Sequence, residues 1–292
     1  MSEHTKRRTL TIETIGMIFT MRFCPLKFLS LALLASTTSV ASAASLVPHR
    51  AVYDISLLRA DDGASVADAS GRMVFELTGS ACDGYSVNYR FVTKLGDNDG
   101  STVVTDFRVT TFEEPEGSSF SFASSNFVNN DQVEEVRGHA SREDSKVSVD
   151  LTKPEDEEVL LSGEVLFPTQ QFEGILKAAE NGEKLVQHLV FDGSEQGKKM
   201  FDATSIIGAR SVLPNDNDDQ LLSQDALSKT PFWPVTISYF DQGAGGELLP
   251  NYVTSFDMHD NGISRNITMD YGDMALKATL SDLEVLDAGN CN

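Results

Sequence analysis

From His49 onward, apolar residues alternate with polar ones at a period of two, the pattern of strands that bury one face. Met73, Phe75 and Leu77 share a face, as do Tyr85, Val87, Tyr89, Phe91 and Leu95. The same alternation returns in Val103, Thr105, Phe107 and Val109, in Phe120 and Phe122, and in Val147, Val149 and Leu151. Asp61-Asp62-Gly63, Asp83-Gly84, Asp97-Asn98-Asp99-Gly100 and Glu116-Gly117 separate these runs, and such residues tolerate the backbone angles of tight turns. The first half therefore reads as an antiparallel meander.

The period changes clearly once. Pro168 suits a first helical turn, Phe172, Ile175, Leu176 and Ala179 fall at helical spacing, and Gly182 supplies a stop. This helix is expected to plug or cap the sheet, and a shorter one is expected from Asp219 to Ser228. Alternation then resumes in Tyr252, Thr254, Phe256 and Met258, turns at Asp260-Asn261-Gly262, and returns through Ile263, Ile267, Met269 and Tyr271. The Asn-Gly pair favours a turn with φ > 0. A last strand carries Met274, Leu276, Ala278 and Leu280. A dozen or more strands with one principal helix predict a mainly β single domain, an antiparallel sheet so long that it must curl into an open barrel.

Upstream of the pattern lies an export signal. Met21-Arg22 and Lys27 form a basic region, Phe28 to Leu34 an apolar one, and Ala41-Ser42-Ala43 a cleavage site. Residues 1–43 thus read as an N-terminal extension plus cleaved signal peptide, with Met17 or Met21 as alternative starts, and residues 44–292 as the single mature domain. The apolar run is too short for an ordinary transmembrane helix, and no later stretch approaches the ~20 residues that spanning needs. The expected location is the periplasm or the exterior, with no integral membrane segment after cleavage.

Charge narrows the partners. The chain has 23 basic and 44 acidic residues; residues 1–43 take away five and two, leaving 18 against 42. A surface this acidic repels phosphate backbones and anionic headgroups, so nucleic acid is not an expected partner. Of the three cysteines, Cys24 leaves with the signal, so an oxidising compartment leaves Cys82 and Cys291 to pair with each other or between molecules.

Catalytic signatures are missing. His49, His139, His188 and His259 stand alone, without metal-ligand spacing, so no metal, cofactor or catalytic residue is expected. Asp192-Gly193-Ser194-Glu195-Gln196-Gly197 lacks the glycines that a serine-nucleophile elbow places two residues either side of the serine. Asp97-Asn98-Asp99-Gly100 and Asp216-Asn217-Asp218-Asp219 lack the sixth-position Gly and twelfth-position Glu of a calcium loop. Trp233, the one tryptophan, together with Tyr239 and Tyr252, is a candidate for a ligand groove or the core.

Several segments together resemble one family. They are Leu46-Val47-Pro48-His49-Arg50-Ala51-Val52-Tyr53, Phe167-Pro168-Thr169-Gln170, Phe191-Asp192-Gly193-Ser194-Glu195, Trp233-Pro234-Val235 and Ser238-Tyr239-Phe240, followed by Asn261-Gly262-Ile263-Ser264-Arg265 and Asp270-Tyr271-Gly272-Asp273. In this order, and with Cys82 and Cys291, they resemble the EipB family of cell-envelope integrity proteins across the whole mature chain. The resemblance implies a periplasmic β-spiral of α-proteobacteria, tied to envelope integrity and stress resistance, without established catalysis and with a tetratricopeptide-repeat protein as partner. Gln171 departs from the histidine expected after Pro-Thr-Gln.

The reading that results is a non-enzymatic periplasmic scaffold or binding protein that maintains the envelope. A lipid or lipoprotein carrier with an apolar cleft is the alternative, and an envelope hydrolase stands last.

Overall fold

The computed structural model describes residues 46–144, 146–214, 219–242 and 249–289. Eight strands follow one another as an antiparallel meander: β1 (His49–Ala60), β2 (Asp68–Ser80), β3 (Gly84–Gly96), β4 (Thr102–Glu113), β5 (Ser119–Val128), β6 (Asp131–Glu143), β7 (Lys146–Lys153) and β8 (Glu157–Ser162). A two-residue strand, β9 (Val165–Leu166), leads into helix α1 (Pro168–Glu180). Then come β10 (Leu185–Val190), β11 (Phe201–Ile207), a short helix α2 (Asp225–Ser228), β12 (Phe232–Asp241), β13 (Tyr252–His259), β14 (Ser264–Asp270) and β15 (Met274–Val285).

All fifteen strands belong to one sheet, ordered β8 back to β1 and then β15 back to β9. The first and last strands are therefore neighbours at its centre, with His49 opposite Val285 and Tyr53 opposite Leu280. Its two edges are consecutive in sequence, since Ser162 ends β8 and Val165 begins β9. A fifteen-stranded sheet whose edges are tied by a two-residue link must curl back on itself, and the result is a nearly closed barrel. Among the described residues the only parallel pairing is Leu189 opposite Val165 and Val190 opposite Leu166, where α1 serves as the crossover.

Helix α1 is held at both ends. Phe167 precedes it and has no side-chain acceptor for the free N–H groups, so the carboxylate of Glu113, at the end of β4, accepts from Thr169 N at 2.9 Å and Gln170 N at 3.1 Å. At the other end Gly182, at φ +78°, lets Gly182 N donate to Ala179 O and Glu183 N to Ala178 O. Ile175, Leu176, Ala178 and Ala179 are buried among Ile237, Val235, Trp233, Leu77 and Tyr85. Ile175 and Leu176 each contribute roughly 2 kcal/mol by the usual area rule. The helix plugs the sheet, as the sequence pattern suggests.

One local expectation is corrected. The helix anticipated from Asp219 to Ser228 is confined to Asp225–Ser228, because Asp219 Oδ1 takes Leu221 N at 2.9 Å and diverts the preceding residues into turns. The β13–β14 connection turns with positive φ at Gly262, +86°, as the Asn-Gly pair favours. Asn261 adds its side chain, accepting from Ile263 N at 3.1 Å and donating to Ala226 O at 2.8 Å, which ties the hairpin to α2.

Candidate functional site

The inner face of the sheet is aromatic and incompletely covered. On the first arm Phe75 stands opposite Tyr89, Tyr89 opposite Val109, and Phe91 opposite Phe107. Phe75, Val87, Tyr89 and Phe91 remain only half-buried. On the second arm Tyr239 lies opposite Tyr252 with ring centroids 4.5 Å apart, and Tyr252 continues to Tyr271 at 6.4 Å. Phe172 of α1 stacks on Phe256 at 5.8 Å. In a flat sheet β3 and β14 would stand four strand spacings apart, about 19 Å. Yet Tyr271 acts electrostatically on Tyr89, so the curl brings these two tyrosines nearer than a flat sheet would.

Burial keeps these phenols un-ionised. Tyr239 is pushed up to about 12, by desolvation first and then by Asp192, and Tyr252 is raised by the same two influences with Tyr239 between them. Asp192 is itself raised by burial, although Ser194 N donates to its Oδ1 at 2.9 Å. The phenols are thus hydrogen-bond donors at any ordinary pH.

Beside them lies an uncompensated polar atom. Gln171, on the first turn of α1, is 2% exposed, faces Tyr239, and leaves its Nε2 without a partner. Ser205 Oγ on β11 and His188 Nδ1 on β10 are unpartnered as well, and the His188 ring packs against Gly174 of α1. Burying such groups unmatched costs about 1–3 kcal/mol each.

A second node fixes the helix. Arg142 donates from Nε to Gly117 O at 2.8 Å and from Nη2 to Gln170 Oε1 at 3.2 Å, and its guanidinium lies 4.9 Å from the Phe167 ring centre. Gly117, at φ +65°, has no room for a side chain: a Cβ would stand 2.2 Å from Gln170 Cδ. Glu113, 4% exposed, is raised to about 7 by desolvation, opposed by its bonds from Thr169 and Gln170.

Of the aromatics singled out from sequence, Trp233 (4% exposed) and Tyr239 (8%) belong to the core, whereas Tyr252 is only half-buried beside the open face. The four histidines are dispersed. His49 packs on Phe75 at 5.4 Å, and His259 is buried, with Nδ1 at 2.7 Å from Thr230 Oγ1 and Nε2 accepting from Arg265 Nε at 3.2 Å. His139 lies on β6 with its Nδ1 2.9 Å from Ser121 Oγ, and Asp150 is its register partner on β7. Among the described residues no His, Cys, Asp or Glu group is arranged to hold a metal. Cys82 lies in the β2–β3 turn and is disulfide-bonded; Cys291 is outside the described residues. Sequence reasoning missed Glu113 and Arg142, which look like ordinary strand-end charges, and noticed Gln171 only as a departure from a family pattern.

A nearly closed antiparallel barrel threaded by one helix defines the structural class, and comparison gives the family. The EipB-like family profile matches residues 40–287, and the chain belongs to that family. It is 41% identical over 255 residues to the cell envelope integrity protein EipB of Brucella abortus (strain 2308), covering 87% of this chain and 90% of that protein. The crystal structure of a β-barrel-like protein with a domain of unknown function, also from Brucella abortus, superposes with a TM-score of 0.76 at 41% identity, over 83% of this chain and 99% of the other.

Proposed function

We propose that this protein is a periplasmic, non-enzymatic scaffold or binding protein that maintains cell-envelope integrity and resistance to envelope stress. Its relative's name as a cell envelope integrity protein supports the role. The observation that carries a binding mode is the half-buried inner face of Phe75, Tyr89, Phe91 and Tyr252 with the exposed Tyr271, together with the unpartnered Nε2 of Gln171. Such a face combines apolar area with a few fixed donors, which is the composition of ligand sites. The occupant in this reading is a segment of a periplasmic protein, with a tetratricopeptide-repeat protein as the candidate partner.

The same apolar area supports the carrier reading, in which an acyl chain lies along Phe75, Tyr89 and Phe91 and the headgroup meets Gln171. Hydrolysis is disfavoured. Ser121 and His139 sit on the outer face of a strand pair, and no hydrogen bond joins Asp150 to the imidazole among the described residues. A triad needs that orienting bond and an oxyanion hole, whereas these backbone N–H groups lie in paired ladders.

Deletion of the gene, followed by challenge with detergent and cell-wall antibiotics, tests the role. Sensitisation that is reversed by the intact gene but not by a Gln171→Leu, Tyr252→Ala double variant of normal abundance supports it; a deletion strain as resistant as its parent overturns it. Native mass spectrometry of periplasmic protein separates the two binding modes, since bound lipid favours the carrier and a co-purified protein favours the scaffold.

A further inference from the structure

At the far end of α1 from Gln171, where Glu180 ends the helix, a pocket of about 410 Å³ opens between the helix, the start of β10 and the start of β12. That size lies within the range of small-molecule sites. Its buried wall is Trp233 with Ala179, and its mouth carries Glu180, Lys184, Arg210 and Asp260. In a chain with 44 acidic and 23 basic residues, two cations converging on one cavity is a local departure.

These four charges are not spent on one another. Among the described residues none of them is in an ion pair within 4.0 Å, and Lys184 Nζ donates only to the backbone at Gly208 O, 3.2 Å away. They are nonetheless close, because Arg210 and Glu180 both act on the Asp260 carboxyl. The negative end of the α1 macrodipole points to the same place and favours a cation there.

We infer that this pocket binds a small zwitterion, an amino acid or peptide end that bears an ammonium and a carboxylate on a short methylene stem. The carboxylate meets Arg210 and Lys184, the ammonium meets Asp260, Glu180 and the helix end, and the stem lies against Trp233. An apolar ligand would leave four charges facing it, and a ligand of one sign would satisfy half of them. In the proposed periplasmic setting the free end of a diamino acid in cell-wall stem peptides has this chemistry. The inference does not depend on the inner-face site, which lies near the opposite end of α1.

Trp233 is the only tryptophan, so its fluorescence reports occupancy directly. Mature protein is titrated with meso-diaminopimelate, with pimelate and 1,5-diaminopentane as single-sign analogues, and calorimetry serves as a second readout. The expected result is a saturable change with Kd of about 1 mM or tighter, at least tenfold weaker for either analogue. Arg210→Gln and Asp260→Asn should each weaken binding about tenfold or more, with circular dichroism confirming the fold. Absence of saturation by both readouts, equal affinity for pimelate or for 1,5-diaminopentane, or unchanged affinity in folded variants overturns the inference. None of these results bears on the envelope phenotype of the deletion strain, so the two readings fail separately.

Discussion

Glu113 Oε2 accepts the backbone N–H of Thr169 at 2.9 Å, joining the end of β4 to the first turn of α1 across 56 positions of sequence. The carboxyl caps a helix whose own N-terminal neighbour, Phe167, cannot. Burial raises it to about 7 even though these bonds oppose the shift. Its folded pKa therefore exceeds the unfolded one, so the contribution is complete below the ordinary glutamate range and is lost as pH rises toward 7. Melting temperature from pH 8 to pH 5 should rise more for the native protein than for Glu113→Gln, by up to about 3 kcal/mol in stability. Identical pH profiles for the two would refute this.

His259 should act with the opposite sign. Burial first, and Arg265 second, lower it to about 4, so the folded protein holds it neutral while the unfolded chain takes up a proton near 6.5. Stability is present above 6.5 and is lost as pH falls toward 4. His259→Gln, which keeps an acceptor for Arg265, should flatten that acid limb. NMR titration of the imidazole gives an independent check, and a value near 6.5 would contradict the assignment.

Gln171→Leu removes an amide that is 2% exposed and lacks a partner for Nε2. If Nε2 serves a ligand and not the fold, relief of that atom should offset most of the lost side-chain bond to Tyr239, so stability in denaturant unfolding should change by no more than about 1–2 kcal/mol while whatever co-purifies with the protein is reduced. A loss of several kcal/mol would make Gln171 a structural residue instead.

The disulfide at Cys82 is proposed to end at Cys291. Gly289, the last described residue, reaches the β2–β3 turn that holds Cys82, where a Cβ on it would stand 2.8 Å from Asp83 Oδ2 and 3.7 Å from Ser80 Oγ. Peptide mapping of periplasmic protein under non-reducing conditions should recover a Cys82–Cys291 peptide, and either Cys→Ser change should cost up to about 5 kcal/mol and lower abundance. A covalent dimer would refute intramolecular closure.

Strand alternation, the 3.6 period of Phe172, Ile175, Leu176 and Ala179, and the Gly182 stop were legible in sequence because they are local: side-chain direction follows backbone period. That reasoning extends to the fold class, since more than a dozen strands cannot remain flat. It could not reach the pairing of β1 with β15, which depends on which distant edges meet, nor the place of Tyr252, whose alternation is the same whether its face is filled or open. Glu113 illustrates the limit most sharply. In sequence it is one of two adjacent acids before a proline, and only the curl that carries β4 to the start of α1 turns it into a buried cap, just as only the packing of α1 against β12 strands Nε2 of Gln171 and gathers Lys184, Arg210 and Asp260 around Trp233.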